Sequence, residues 1–169
     1  VACGTSLHAG RVAANWLSAI AELPCQIDYA SEYRYRNPHV DENSILITIS
    51  QSGETADTLA ALNYAKEKNY LATVGICNVP GSSVSRETNC GIFTRCGHEV
   101  GVASTKAFTA QCTILYLLAL KLADSNDTLS KKAIREHLDF VSEFNKIRSI
   151  LKKENEIKTK DIQFSNLPN

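Results

Sequence analysis

Ser44-Ile45-Leu46-Ile47-Thr48-Ile49-Ser50-Gln51-Ser52-Gly53-Glu54-Thr55-Ala56-Asp57-Thr58 is the stretch on which the fold turns. From Ser44 to Ser50 nearly every position is β-branched or apolar, so both faces of the segment are suited to burial. A parallel strand covered by helices on both sides has this pattern; an antiparallel strand with one wet face alternates instead. Gln51–Glu54 interrupts the run. Thr55–Lys68 then reads as a helix, with Leu59, Leu62 and Ala65 inward and Lys66, Glu67 and Lys68 at the solvated end. Strand, tight loop and helix in that order make the first half of a βαβ unit.

The rest of the chain repeats the alternation. Leu71–Cys77 is a second strand, Asn78–Ser83 a loop marked by Pro80-Gly81, and Gly91–Thr94 a weaker strand. Gly97–Gly101 is a loop, Thr105–Ala123 a long and almost wholly apolar helix. Leu129–Lys153 is amphipathic through Ile134, Leu138, Val141, Phe144, Ile147 and Leu151, and a polar linker follows from Glu154. Toward the N-terminus, Val1-Ala2-Cys3 reads as the end of a strand. A helix follows from His8 to Leu23, inward through Val12, Trp16, Leu17, Ile20 and Leu23, and closed by Pro24. Cys25–Asp28 is a short strand and Ala30–Arg36 a surface helix or turn. This order predicts an α/β domain with a parallel sheet, whose ligand lies beyond the C-terminal ends of the strands. The loops at 4–6, 51–54 and 78–83 meet at that edge, and the 97–104 segment should lie close by.

Composition narrows the field. The chain has 169 residues, 44% of them hydrophobic, enough for a domain with a real core. Eighteen Lys and Arg balance eighteen Asp and Glu, which leaves no basic surplus for nucleic acid. No run is read as a membrane span; the longest apolar run, Ile114–Leu120, reads as a buried helix. Six cysteines at 3, 25, 77, 90, 96 and 112 have no metal-site spacing and are expected to be reduced thiols. No Gly-Lys phosphate loop or GxGxxG string occurs, and no cofactor or metal is expected. The chain lacks Met and opens in what looks like a strand, as a piece of a longer cytoplasmic protein would.

Ser50–Thr55 carries the clearest chemistry. Two serines, a glycine and a threonine are delivered onto a helix N-terminus, where free N–H groups and a partial positive charge suit an anion. Ser50, Ser52 and Thr55 are each expected to offer a hydroxyl to a phosphate, and Gly53 to let the backbone approach it. The competing reading is an ordinary N-cap by Ser52 or Thr55, which uses a single hydroxyl. Thr5 and Ser6 repeat the device after the first strand. In the segment from Gly97 to Lys106, His98 and Glu99 read as solvated and Lys106 as either an anion partner or a surface residue. His8 and His39 read as structural.

Three stretches together carry a resemblance: Ala2–Ser6, Ser50–Thr58 and Glu99–Thr109. They are similar to the sugar isomerase (SIS) domain, specifically the first of two such domains in the glutamine–fructose-6-phosphate aminotransferases, also called glucosamine-6-phosphate synthases. The likeness runs from residue 1 to about 124 and more loosely to 153. It implies a three-layer α/β/α fold with a five-stranded parallel sheet of flavodoxin-like topology, residues 125–153 as a C-terminal helix, and 154–169 as a linker toward a second SIS domain. It implies that Ser50, Gln51, Ser52 and Thr55 hold the phosphate of fructose 6-phosphate or glucosamine 6-phosphate, Gln51 largely through its backbone. Thr5, Ser6, Val102 and Ser104 would line the sugar.

In such enzymes fructose 6-phosphate and glutamine become glucosamine 6-phosphate and glutamate. The glutaminase cysteine, the isomerase base, the imine-forming lysine and the ring-opening histidine lie in other domains, so no catalytic residue is expected in this chain. A homodimer is expected. Two other readings compete: a sugar-phosphate-sensing module of a regulator, which would carry a helix-turn-helix not seen here, and a stand-alone isomerase using Glu54 or Glu99 as its base.

Overall fold

The computed structural model describes residues 1–97 and 104–143. The chain divides into two compact units, with the boundary between Thr128 and Leu129. In the first unit the elements run α1 (Gly4–Ala21), α2 (Ala30–Tyr33), β1 (Ile45–Ser50), α3 (Ala56–Lys66), β2 (Ala72–Cys77), α4 (Ser83–Glu87), β3 (Cys90–Phe93) and α5 (Lys106–Ser125). Described residues of the second unit form a helix over 131–143, begun by Ser130, whose Oγ accepts the Ala133 N–H at 3.2 Å. On it Leu138, expected to face inward, is exposed, and the residues beyond 143 of the expected helix and linker lie outside the described set.

The sheet is parallel in the order β1-β2-β3, with Ser50 opposite Cys77 and Cys77 opposite Phe93. Among the described residues three strands form where five were expected. The remaining two are reduced to isolated parallel bridges, Ala2 to Ile49 and Ala2 to Tyr29. Their hydrogen bonds are few: Ile49 N–H donates to the Val1 carbonyl at 3.1 Å, and Ala30 N–H to the Ala2 carbonyl at 3.0 Å. The reason is local. α1 begins at Gly4 and α2 at Ala30, so each helix takes over the chain one or two residues after its bridge and leaves no length for a ladder.

Helices cover both faces. β1 alternates as a pleated strand must, sending Leu46 into one cluster with Ala30, Tyr33, Ala61, Leu62 and Ala65, and Ile49 into another with Leu7, Ala9, Ala13, Ile76 and Leu115. α2 and α3 therefore lie on one side and α1 and α5 on the other. The inward face of α1 overlaps the expected one only in part: Leu17 is buried as expected, but Ala9, Gly10 and Ala13 are buried with it, whereas Trp16 packs half-buried against the core and meets Tyr116 edge-on, with centroids 5.0 Å apart. Small residues win that face because the helix lies close to the sheet; a Cβ on Gly10 would stand 3.3 Å from Ile49 Cδ1. The helix ends at Ala21 with Glu22 left-handed, short of the expected Leu23. On the other face α4 lies directly over β2, where a Cβ on Gly75 would meet Val84 Cγ1 and Thr88 Oγ1 at 2.8 Å.

By length and composition alone α5 is apolar enough to cross a membrane, with a mean hydropathy of 1.2, contrary to the expectation that no stretch would be. In this fold it is a core helix, burying Ala107, Gln111, Leu115, Ala119, Leu120 and Ala123. All six cysteines are free thiols.

Candidate functional site

The C-terminal edge of the sheet gathers four chain exits. Ala2 bridges Ile49, so Cys3–Ser6 and Ser50–Thr55 leave from neighbouring extended segments. The Asn78–Ser82 loop leaves from β2, paired with β1, and Thr94–Gly97 from β3.

Ser50 is buried at the end of β1, and its Oγ accepts the Gly53 N–H at 3.0 Å. The same oxygen shares a hydrogen bond with Thr55 Oγ1 at 3.0 Å. Ser52 Oγ accepts the Glu54 N–H at 3.1 Å, a local serine turn. The loop thus reverses tightly, with Gly53 at φ +69°. This arrangement corrects the count of donors. Ser50 and Thr55 bond to each other, so whichever donates, the pair keeps one hydroxyl hydrogen to offer, and Ser52 keeps a second. Two hydroxyl hydrogens are left to donate where three independent ones were expected.

The N-cap reading does not survive. Thr55 is the N-cap residue of α3, yet no side chain caps that helix, and the N-cap residue of α1, Cys3, has no side-chain cap either. Both helices therefore turn first-turn N–H groups toward the sheet edge without a side-chain acceptor, an arrangement suited to an anion. Thr5 is exposed and Ser6 nearly buried in the first turn of α1. Gly4, at φ +54°, has open space where a Cβ would be. Ser104 is half-buried just ahead of α5, and Gln51 is half-buried in the loop. Val102, His98 and Glu99 lie outside the described residues.

A second loop braces the first. Asn78 N–H donates to the Gln51 carbonyl at 3.0 Å and Val84 N–H to the Gly53 carbonyl at 3.0 Å. Ser82 is buried against Gly53, with its Oγ donating to Cys77 Sγ at 3.4 Å. Asn78 also fixes the exit from β3: its Oδ1 accepts the Cys96 N–H at 2.8 Å and the Thr94 hydroxyl at 3.1 Å, and its Nδ2 donates to the Gly97 carbonyl at 2.9 Å. Glu54 completes the brace, as its Oε1 accepts the Ser83 N–H at 2.8 Å at the start of α4. Sequence reasoning missed this clasp and α4 with it.

The Ser83 bonds, helped by Arg86, hold the Glu54 carboxyl below its ordinary value of 4.5. A base that must take a proton near neutrality is helped by the opposite shift, so the Ser83 contact disfavours Glu54 as the base of a stand-alone isomerase. Because its folded value is depressed, the clasp is fully present above pH 4.5 and is lost as pH falls below it. Hydrogen exchange at the Ser83 amide should accordingly accelerate in Glu54→Ala at neutral pH, and in the parent chain only under acid conditions. Equal protection in both proteins at pH 7 would dissolve the clasp. Among the described residues no group of three or more His, Cys, Asp or Glu could hold a metal ion.

A family model described as the SIS domain matches residues 1–121. Over 158 residues, 93% of its length, the chain is 51% identical to the glutamine–fructose-6-phosphate aminotransferase (isomerizing) of Chlorobaculum tepidum, and it covers 25% of that protein. Against the Escherichia coli K12 protein of the same name it is 54% identical over 123 residues, 73% of this chain and 20% of that one. Among solved structures, the C-terminal domain of glucosamine-fructose-6-phosphate aminotransferase from Francisella tularensis superposes with a TM-score of 0.82 at 42% identity. That match covers 94% of this chain and 44% of the other. Glucosamine-6-phosphate deaminase from Thermotoga maritima, at 22% identity and TM-score 0.69, shares the fold, with 85% of this chain and 43% of that one covered. The chain thus spans about a quarter or less of the curated relatives it matches.

Proposed function

This chain belongs to the SIS domain family, and from that premise we propose that it is the sugar-phosphate-binding part of a glutamine–fructose-6-phosphate aminotransferase. The observation that carries the reading is the loop Ser50–Thr55: two hydroxyl hydrogens left to donate beside the start of α3, whose N-cap residue makes no side-chain capping bond. Ser50, Gln51, Ser52 and Thr55 hold the phosphate, with Ser50 shaping the loop more than touching the ligand. Thr5, Ser6, Val102 and Ser104 line the sugar.

A phosphate dianion bound by neutral donors fits a protein without net charge. The chemistry that follows, proton transfer at C1–C2 and imine formation, needs a base and an amine that the described site does not supply. These come from the parts of the longer relatives that this chain does not cover. In this reading 1–124 is the first of two SIS domains, 125–153 a helix packed on or leading from it, and 154–169 a linker to the second. The isolated parallel bridges at Ala2 and Tyr29 support a five-stranded sheet in this reading. A cytoplasmic homodimer follows from the same family reading.

Titration of the 169-residue chain with fructose 6-phosphate or glucosamine 6-phosphate should show a Kd on the order of millimolar, and no turnover of either. Calorimetry, or a melting curve moved by ligand, provides the measurement. No response to either sugar at about ten times that concentration would defeat the assignment.

A further inference from the structure

One buried polar side chain has no explanation in packing. Gln111 is 1% exposed and sits on the inward stripe of α5 between Ala107 and Leu115. Its Nε2 donates to Ser6 Oγ at 3.0 Å, across 105 positions of sequence, whereas its Oε1 has no partner among the described residues. An apolar residue of the same length would avoid that orphaned acceptor, so stability alone disfavours a glutamine here. The amide can be turned over, but then two N–H groups would be stranded in place of one oxygen, and the orientation described is the better one.

The effect on Ser6 is specific. A serine in a helix tends to turn its hydroxyl back onto a carbonyl of the preceding turn. Gln111 occupies a lone pair of Ser6 Oγ from the α5 side, which fixes the oxygen and directs its hydroxyl hydrogen away from α5. Ser6 stands in the first turn of α1, next to the exposed Thr5 and the open space at Gly4.

We propose that Gln111 is a positioning residue that holds the Ser6 hydroxyl as a hydrogen-bond donor to an oxygen of the sugar skeleton, apart from the phosphate. The proposal rests on the sugar-phosphate reading of the site and adds to it a residue outside the ligand's reach.

Gln111→Met keeps length and volume but removes both the donor and the orphaned oxygen. Fructose 6-phosphate should bind the variant chain about tenfold more weakly, while inorganic phosphate binds both proteins alike. The melting temperature should be unchanged or higher. Ser6→Ala should show the same loss, and the double variant no more than either single one, because the two act through one hydroxyl. A merely structural glutamine predicts the reverse, a lower melting temperature with unchanged sugar binding, and that result would overturn the proposal.

The Ser6 χ1 rotamer, read by NMR couplings in the ligand-free chain, separates the two claims. A change of rotamer in Gln111→Met supports the positioning role even if the parent chain binds no sugar phosphate, a result that would defeat only the reading of the ligand. An unchanged rotamer overturns the positioning role whatever the titrations show.

Discussion

Gly53→Ala is expected to be the most damaging alanine substitution among the described glycines. Two costs combine. Gly53 is left-handed, at φ +69°, where an L-residue is strained by roughly 1–2 kcal/mol. The new Cβ would also stand 2.1 Å from Ser82 Oγ and 2.6 Å from Ser82 Cβ. The second contact is the decisive one, since a Cβ moves only with its backbone. Ser82 is itself buried and tied through its hydroxyl to Cys77. Relief therefore means parting the two loops and losing the Val84-to-Gly53 and Asn78-to-Gln51 backbone bonds.

Overpacking of this kind costs about 1–3 kcal/mol, so the sum is on the order of 3 kcal/mol, and thermal unfolding should begin about 10 °C lower. Sugar-phosphate affinity should vanish with the loop's shape. Gly4→Ala is the control. Gly4 has a similar φ of +54° but nothing within 4 Å of the new Cβ, so only the backbone strain applies and the melting temperature should fall by a few degrees. Equal effects from the two variants would mean that the Gly53–Ser82 contact carries nothing.

What could be read in the sequence and what could not divides along a physical line. β1, β2, α3 and α5 were legible because each has a period or an unbroken apolar run that fixes its type locally. The loop between β1 and α3 was legible as a junction because the β-branched run stops at Ser50 and a helical period starts after Thr55. α4 was not, since five residues make barely more than one helical turn and no periodicity can show in them. The clasp of Glu54 on Ser83 spans 29 residues and depends on Gly75 letting α4 lie against β2. Nothing in the local pattern encodes such a distance.

The inward face of α1 was misjudged because large apolar residues were given the core, whereas close helix-to-sheet packing selected Ala9, Gly10 and Ala13. Gln111 had a signal that went unread: a single amide in the Ala107–Leu115 stripe of an otherwise apolar helix. The donor count failed for a different reason. Sequence supplies hydroxyls, but only geometry shows that Ser50 and Thr55 spend one hydrogen on each other.

That shared hydrogen bond shapes the strongest test of binding. Ser52→Ala combined with Thr55→Val should weaken fructose 6-phosphate by about two orders of magnitude, since a hydrogen bond to a charged group contributes roughly 1.5–3 kcal/mol and one is removed outright, the other in part. The two losses should not be equal. Without the Thr55 hydroxyl, Ser50 has no partner in the loop except the Gly53 N–H and can turn its own hydrogen outward, so Thr55→Val alone is partly offset. Ser52 has no such understudy, and its removal exposes only the Glu54 N–H, at a site where water can replace the lost acceptor.

Both positions are half-buried, and valine preserves the shape of threonine, so the melting temperature of the ligand-free double variant should stay within a few degrees of the parent. On the proposed reading the ligand is the phosphate dianion. Affinity in the parent should therefore decline as pH falls through about 6, where a phosphate ester takes up its second proton. Calorimetric titrations at pH 7.5 and 5.5 on the four proteins measure all of this. If the double variant bound the sugar phosphate within threefold of the parent, the helix amides alone would be holding it, and the hydroxyls of this loop would serve only to shape the turn.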